Sequence, residues 1–344
     1  FIGKNVPLDF DDFFAKLSFD FSNEGKFAFS GLYSSDKLDR LTESDPQYTW
    51  KNFAIGASFQ SFISQLFINS SFTVADFRMS EFYNDTKFGK DGSSTYSSIS
   101  FNAKADYQFD NNDVITGGFD MLSYNLNAEY KNSYNYIITP FDDLLDLGLY
   151  LKYKFTQISN FLLDLGFRYN ITKVEMERND LLEPRVNLRL KLSPWLSFKA
   201  SATKMHQLIV SNIDEDDIIP LFETWTTIKK PLKPEESNQY VIGFDLWVMD
   251  NINLVIQGYK KSNYNLAVYN LERKSKEDDD FISGDGDSKG IETLVKFRFM
   301  NFNGWITYNL GWAEKRDNNI RYAPRYDKRH SLSIIVNIPF IYEI

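Results

Sequence analysis

The chain has 344 residues, 43% of them hydrophobic and 17% aromatic, with a formal net charge of −9, yet its mean hydropathy is only −0.38. No apolar run approaches the roughly 18–20 residues of a membrane-spanning helix, nothing resembles a basic stripe for nucleic acid, and the lack of cysteine removes disulfide frameworks and thiolate chemistry. Phe1 opens no charged-then-apolar leader, so the chain reads as mature, trimmed or partial.

Phe13, Ala15, Leu17, Phe19 and Phe21 share one face of a first strand; after a turn at Asn23-Glu24-Gly25 the chain returns through Phe27, Phe29, Gly31 and Tyr33. A long polar connection, about Ser35 to Gln47, leads to strand three (Phe53, Ile55, Ala57, Phe59). A turn near Ser61 to Ser64 precedes strand four (Leu66, Ile68, Phe72, Val74). After a second long connection, strand five carries Ile99, Phe101, Ala103, Ala105 and Tyr107, turns at Asp110 to Asp113, and gives way to strand six, from Val114 to about Leu126, which alternates less cleanly. A third long connection ends at strand seven (Leu145 to Phe155), and a turn around Gln157 to Asn160 leads to strand eight (Leu163, Leu165, Phe167, Tyr169).

Strands nine and ten show the period-two pattern most cleanly. Val186, Leu188, Leu190 and Leu192 alternate with Arg185, Asn187, Arg189 and Lys191; beyond Ser193-Pro194, Leu196, Phe198, Ala200 and Ala202 alternate with Ser197, Lys199, Ser201 and Thr203. Successive strand side chains point to opposite faces, so this hairpin has one apolar and one cationic, hydroxylic face. In a soluble sandwich the apolar face meets a second sheet; in a membrane barrel it meets lipid while the polar face lines a wet lumen. In lipid, a one-residue slip would turn Arg185, Arg189, Lys191 and Lys199 outward, at roughly 2–4 kcal/mol for each cation at the bilayer midplane.

A connection of about thirty residues follows, from Gln207 to Asn238. Strands eleven and twelve flank Asp250-Asn251, an acidic connection runs to about Lys289, strands thirteen and fourteen flank Met300 to Asn303, and a fifteenth strand covers about His330 to Pro339. Short turns and long connections alternate throughout. A membrane barrel needs that asymmetry, with short periplasmic turns on one rim and long extracellular loops on the other, whereas a soluble meander has no reason to keep it. Bacterial single-chain barrels have even strand counts, so fifteen strands read as the central piece of a larger all-β, antiparallel, up-and-down transmembrane barrel.

Several blocks of the second half, in order, resemble TonB-dependent outer-membrane receptors, particularly the kind common in Bacteroidetes. These are the hairpin from Leu182 to Leu208, PLKPEESNQYVIGFDL (Pro231 to Leu246), SKGIETLVKFRF (Ser288 to Phe299), NGWITYNLGWA (Asn303 to Ala313) and YAPRYDKRHSLSI (Tyr322 to Ile334). The resemblance implies a barrel of about 22 strands around an N-terminal plug domain, coupled to the TonB complex through that plug. It also implies residence in the bacterial outer membrane, a small solute as ligand and a surface lipoprotein as a further partner. Residues 1–344 then correspond to the barrel alone, without the plug.

Candidate chemistry is sparse. His206 and His330 are the only histidines, and neither has an acidic orienter and nucleophile at hydrolase spacing. Asp285-Gly286-Asp287-Ser288-Lys289-Gly290 opens like a calcium loop, but its twelfth position is Lys296 rather than Glu. No catalytic residue, metal site or cofactor is therefore expected. For solute recognition the loop residues Asp214, Asp216, Asp217 and Trp225 are the candidates, and Arg185, Asn187, Arg189, Lys199 and Ser201 are expected to face the lumen; the bland reading of all of them is solvation. Trp195 and Trp305, beside short turns, are expected in the interfacial girdle. The function these features favour is active import of a scarce solute (metal chelate, vitamin, glycan or peptide), with a passive porin or substrate-specific channel as the alternative.

Overall fold

The structure, a computed structural model, describes residues 8–22, 25–40, 42–85, 87, 91–131, 137–138, 141–212, 224–270, 279, 281–317 and 320–338. The first half comprises β1 (Leu8–Ser22), β2 (Gly25–Leu38), β3 (Gln47–Ile63), β4 (Leu66–Phe82), β5 (Gly92–Gln108), β6 (Val114–Lys131), β7 (Ile137–Ile138), β8 (Phe141–Phe155), β9 (Phe161–Val174) and β10 (Glu177–Ser193). The second half comprises β11 (Leu196–Gln207), β12 (Ile209–Asn212), β13 (Thr224–Thr227), β14 (Glu235–Met249), β15 (Ile252–Tyr269), β16 (Phe281–Phe299), β17 (Phe302–Asp317), β18 (Ile320–Tyr322) and β19 (His330–Asn337). Apart from the short β7, β12, β13 and β18, the fifteen remaining strands match the fifteen of the alternation.

Each long strand pairs antiparallel with the next one in the chain, from β1 with β2 to β17 with β19, so the sheet is an unbroken meander. The registers keep the alternating apolar positions of successive strands on one face. Val186 faces Leu165 and Ala202, while Asn187 faces Asp164 and Ser201. That face stays uncovered, with Phe13, Phe19, Phe167, Ile242 and Ile334 all exposed. A continuous apolar outer band over polar inner positions is the barrel arrangement in lipid.

Strands run further than alternation reveals. The stretch between Tyr169 and Leu182 is extended almost throughout, and β9 joins β10 through Glu175 and Met176 alone, with Glu175 at a φ of 52°. The connection read after strand twelve is likewise strand for much of its length, since β15 continues to Tyr269 and β16 starts at Phe281. The Asp285–Gly290 segment is therefore in β16, where Asp285 is held by Arg316 at 2.6 Å. Beyond the membrane both faces of a strand meet water, so alternation fades while the backbone ladder persists. Trp305 is also a correction to the girdle expectation: it pairs with Lys296 and Ile335 on the polar side of β17.

The short-turn rim is tied together by Asp113, just before β6. Its carboxylate, fully buried, accepts hydrogen bonds from Tyr153 Oη (2.6 Å), Gln157 Nε2 (2.7 Å) and the Thr156 backbone N–H (2.7 Å) and hydroxyl (3.3 Å). Burial opposes ionisation, but these hydrogen bonds outweigh it and lower the pKa from 3.8 to about 2. The stability Asp113 contributes is thus complete above pH 3.8 and is lost as pH falls toward 2. Asp113→Asn should lower the denaturant midpoint of the detergent-solubilised barrel at pH 7, and the difference from wild type should shrink as pH falls through about 2; a gap undiminished by that fall contradicts the assignment. Leu188→Arg should cost about 2–4 kcal/mol in unfolding experiments in lipid, and Asn187→Arg on the other face far less; equal costs would contradict the register.

Candidate functional site

The long-loop rim is built differently. β12 and β13 form a hairpin inside the connection from β11 to β14, with Ser211 opposite Trp225, and β13 packs against β5, β6 and β8. It lies on the inner face. Leu126, Leu144 and Val174 share the parity of Asp146, Arg168 and Asn170, and they are buried with Leu208, Val210 and Ile228 of the folded-in segment. Leu144, Val174 and Leu208 form a small core with Tyr124, Leu181 and Ile209 around it.

One carboxylate holds the hairpin in place. Asp142, at the start of β8, has 0% of its surface exposed and accepts hydrogen bonds from Thr226 Oγ1 (2.8 Å), the Thr227 N–H (2.9 Å) and Lys229 Nζ (2.8 Å). Lys229 also reaches Glu175 at 2.9 Å, and Lys230 reaches Glu177 at 2.9 Å, so the tight β9–β10 turn supports the same segment. Burial alone would lower the Lys229 pKa, but the two carboxylates outweigh it and raise it above 10.5. Their contribution is fully present below 10.5 and is lost as pH rises through the raised value. The latch is therefore closed at neutral pH.

Beneath the hairpin the wall is a mesh of paired charges. Arg168 bonds Asp120, donates to Asn170 at 2.6 Å and lies over the Tyr150 ring; Lys199 reaches Asp245 at 2.7 Å, and Asn253 donates to Asp245 at 2.7 Å. Asp146 Oδ1 is buried without a hydrogen-bond partner. At the rim the β10–β11 ladder stops at Arg185 opposite Thr203, next to Pro184, which has no N–H to give. The Glu183 carboxylate instead accepts the His206 N–H at 2.9 Å. His206 is thereby a structural element of the rim, and His330 is bonded to the Tyr308 hydroxyl at 2.9 Å.

Arg185, Asn187, Arg189, Lys199 and Ser201 all lie on the polar face of β10 and β11, with Arg189 directly opposite Lys199. Trp225 stands on the hairpin with 36% of its surface exposed. Asp214, Asp216 and Asp217 fall outside the described residues. Asp142, Glu175, Thr226, Thr227 and Lys229 are the residues the sequence does not reveal. Asp142 and Lys229 lie 87 positions apart, and no local spacing signals their encounter.

A meander with an apolar exterior, a charged inner wall and a hairpin folded into one rim defines the barrel of an outer-membrane receptor. The family described as "TonB dependent receptor-like, beta-barrel" matches residues 3–335. The chain belongs to that family, which places it in the bacterial outer membrane. Solved structures share the fold, three of them as follows. The alcaligin outer-membrane receptor FauA from Bordetella pertussis is 14% identical, with a TM-score of 0.65 over 98% of this chain and 59% of that one. The ferripyoverdine receptor of Pseudomonas aeruginosa is 13% identical, with a TM-score of 0.73 over 98% and 53%. The ferric-catecholate import receptor Fiu from E. coli K12 is 8% identical, with a TM-score of 0.72 over 96% and 62%. The chain thus spans little more than half the length of these structures. Among curated proteins no sequence match was found.

Asp142→Ala should free the hairpin without unfolding the barrel. The loss of hydrogen bonds to a charged group amounts to at least about 2 kcal/mol, roughly thirtyfold in the local opening equilibrium. Hydrogen exchange at residues 225–229 reads this directly, and unchanged protection would contradict the latch.

Proposed function

We propose that this chain is the barrel of an energised importer that takes up a scarce small solute, of the class of metal chelates, vitamins, glycans or peptides. The observation that carries the reading is the inward-folded hairpin latched by Asp142: it sets a built, specifically bonded element on the inner wall at the long-loop side, where it would meet an entering solute. The solved relatives carry names of iron-carrier receptors, which favours a metal chelate among those classes.

Trp225 and the acidic stretch at Asp214, Asp216 and Asp217 would meet the solute at the mouth. Arg185, Asn187, Arg189, Lys199 and Ser201 would line the path below, against a plug domain encoded outside these residues. Release would come from rearrangement of that plug driven by the TonB complex, with no covalent step performed by the protein, and a surface lipoprotein would be a further partner. An aromatic side chain on the rim can stack on a flat ligand while the charged wall orients it.

The test is uptake by cells carrying the full-length gene, screened with ferric chelates first and the other solute classes after. Uptake should stop when TonB is deleted or the proton-motive force is collapsed, and purified protein in a planar bilayer should be silent. Steady ion conductance together with TonB-independent uptake would instead establish an open channel.

A further inference from the structure

The outer face is not uniformly apolar. One cross-strand row runs Phe13, Tyr33, Phe53, Asp76, Ser97, Asn125 and Asp143, each directly opposite the next. Across β1 to β3 this row is aromatic; from β4 to β8 it is polar. The row below, Ile55, Val74, Ile99, Ser123 and Leu145, is apolar but for Ser123. The row above brings two cations face to face, Lys51 opposite Arg78. Like charges directly opposite one another on a sheet repel.

These rows enclose a groove of about 680 Å³ on the outer face, lined among others by Lys51, Arg78, Asn125, Ser97, Val74 and Ile99. Its polar groups are partly committed. Asp76 accepts from Arg78 Nε at 2.7 Å and from the Ser97 hydroxyl at 2.8 Å, and Asn125 donates to Asp143 at 2.7 Å. Asp76 therefore neutralises one side of the guanidinium and leaves its other edge exposed. Lys51 has no ion-pair or hydrogen-bond partner among the described residues. The floor is aliphatic and aromatic.

We propose that this groove holds the phosphorylated sugar headgroup of a glycolipid in the outer leaflet. A phosphate between Lys51 and Arg78 relieves their repulsion and completes the donor set of both. Sugar hydroxyls match the row of Ser97, Ser123 and Asn125, and the first methylenes of the acyl chains lie on Phe53, Val74 and Ile99. Bulk acyl chains could satisfy none of the polar groups at this depth. The site rests on outer-membrane residence alone and is independent of what the barrel transports.

Native mass spectrometry of the detergent-purified full-length protein tests this, with a phosphorylated outer-leaflet glycolipid, the same lipid after enzymatic dephosphorylation, and inorganic phosphate as competitor. The phosphorylated lipid should bind about tenfold or more tighter than the dephosphorylated one, and millimolar phosphate should not displace it. Lys51→Ala with Arg78→Ala should abolish the preference, Lys51→Arg with Arg78→Lys should keep it, and Arg178→Ala, at the same rim outside the groove, should leave it unchanged. Equal binding of both lipids by the wild type overturns the proposal and leaves the groove to a protein partner. Displacement by phosphate also overturns it, as a free-anion site. Should the alanine pair fail to insert, the wild-type comparison of the two lipids decides by itself.

Discussion

Inside hydrocarbon a backbone N–H or C=O has no water to bond, and each group left unpaired costs several kcal/mol. The rest of this structure depends on that constraint. Each strand must find its bonds on the next, so the chain runs as an antiparallel meander from β1 to β19 without a crossover. Once the ladders are fixed, the pleat decides which side chains meet lipid, and the alternation of Val186 with Asn187 is the record of that decision. Arg189 and Lys199 can stand directly opposite each other because both lie on the wet face, where Asp245 takes up the lysine.

The two rims solve different problems with the same means, a buried carboxylate among several donors. At the short-turn rim Asp113 joins the β5–β6 turn to the β8–β9 turn, and the effect is rigidity. At the long-loop rim Asp142 binds a segment that begins more than 80 residues later, and the effect is to hold the β12–β13 hairpin against the inner wall. A carboxylate with several hydrogen bonds is firm while they last and costly to desolvate if they break.

The fold was legible because lipid enforces a strict rule on residues such as Phe13, Leu188 and Phe244, and the short turns Asp110 to Asp113 and Asp250-Asn251 interrupt it visibly. Where the rule lapses, so did the reading. Asn170 and Thr172 are polar residues buried on the inner face and Asp180 is a charge on the opposite one, so their sequence resembles loop although the β9–β10 ladder continues through them. Strand six alternates weakly because the polar residues Ser123 and Asn125 occupy outward positions, and those residues line the outer groove. Trp305 was misplaced for a related reason: proximity to a turn suggested the girdle, whereas parity puts it on the wet face. The latch left no trace in sequence because Asp142 and Lys229 look like ordinary solvated loop charges until folding brings them to 2.8 Å.

The central claim is that one parity of each strand meets lipid and the other meets water, and the absence of cysteine allows it to be measured cleanly. Single cysteines introduced from position 185 to 192, in protein reconstituted into bilayers, would be labelled with a membrane-impermeant thiol reagent and probed with a lipid-phase quencher. The account expects 185, 187, 189 and 191 to react from water and 186, 188, 190 and 192 to respond only to the lipid-phase probe. Reaction of both parities with the aqueous reagent, or of neither, would contradict it.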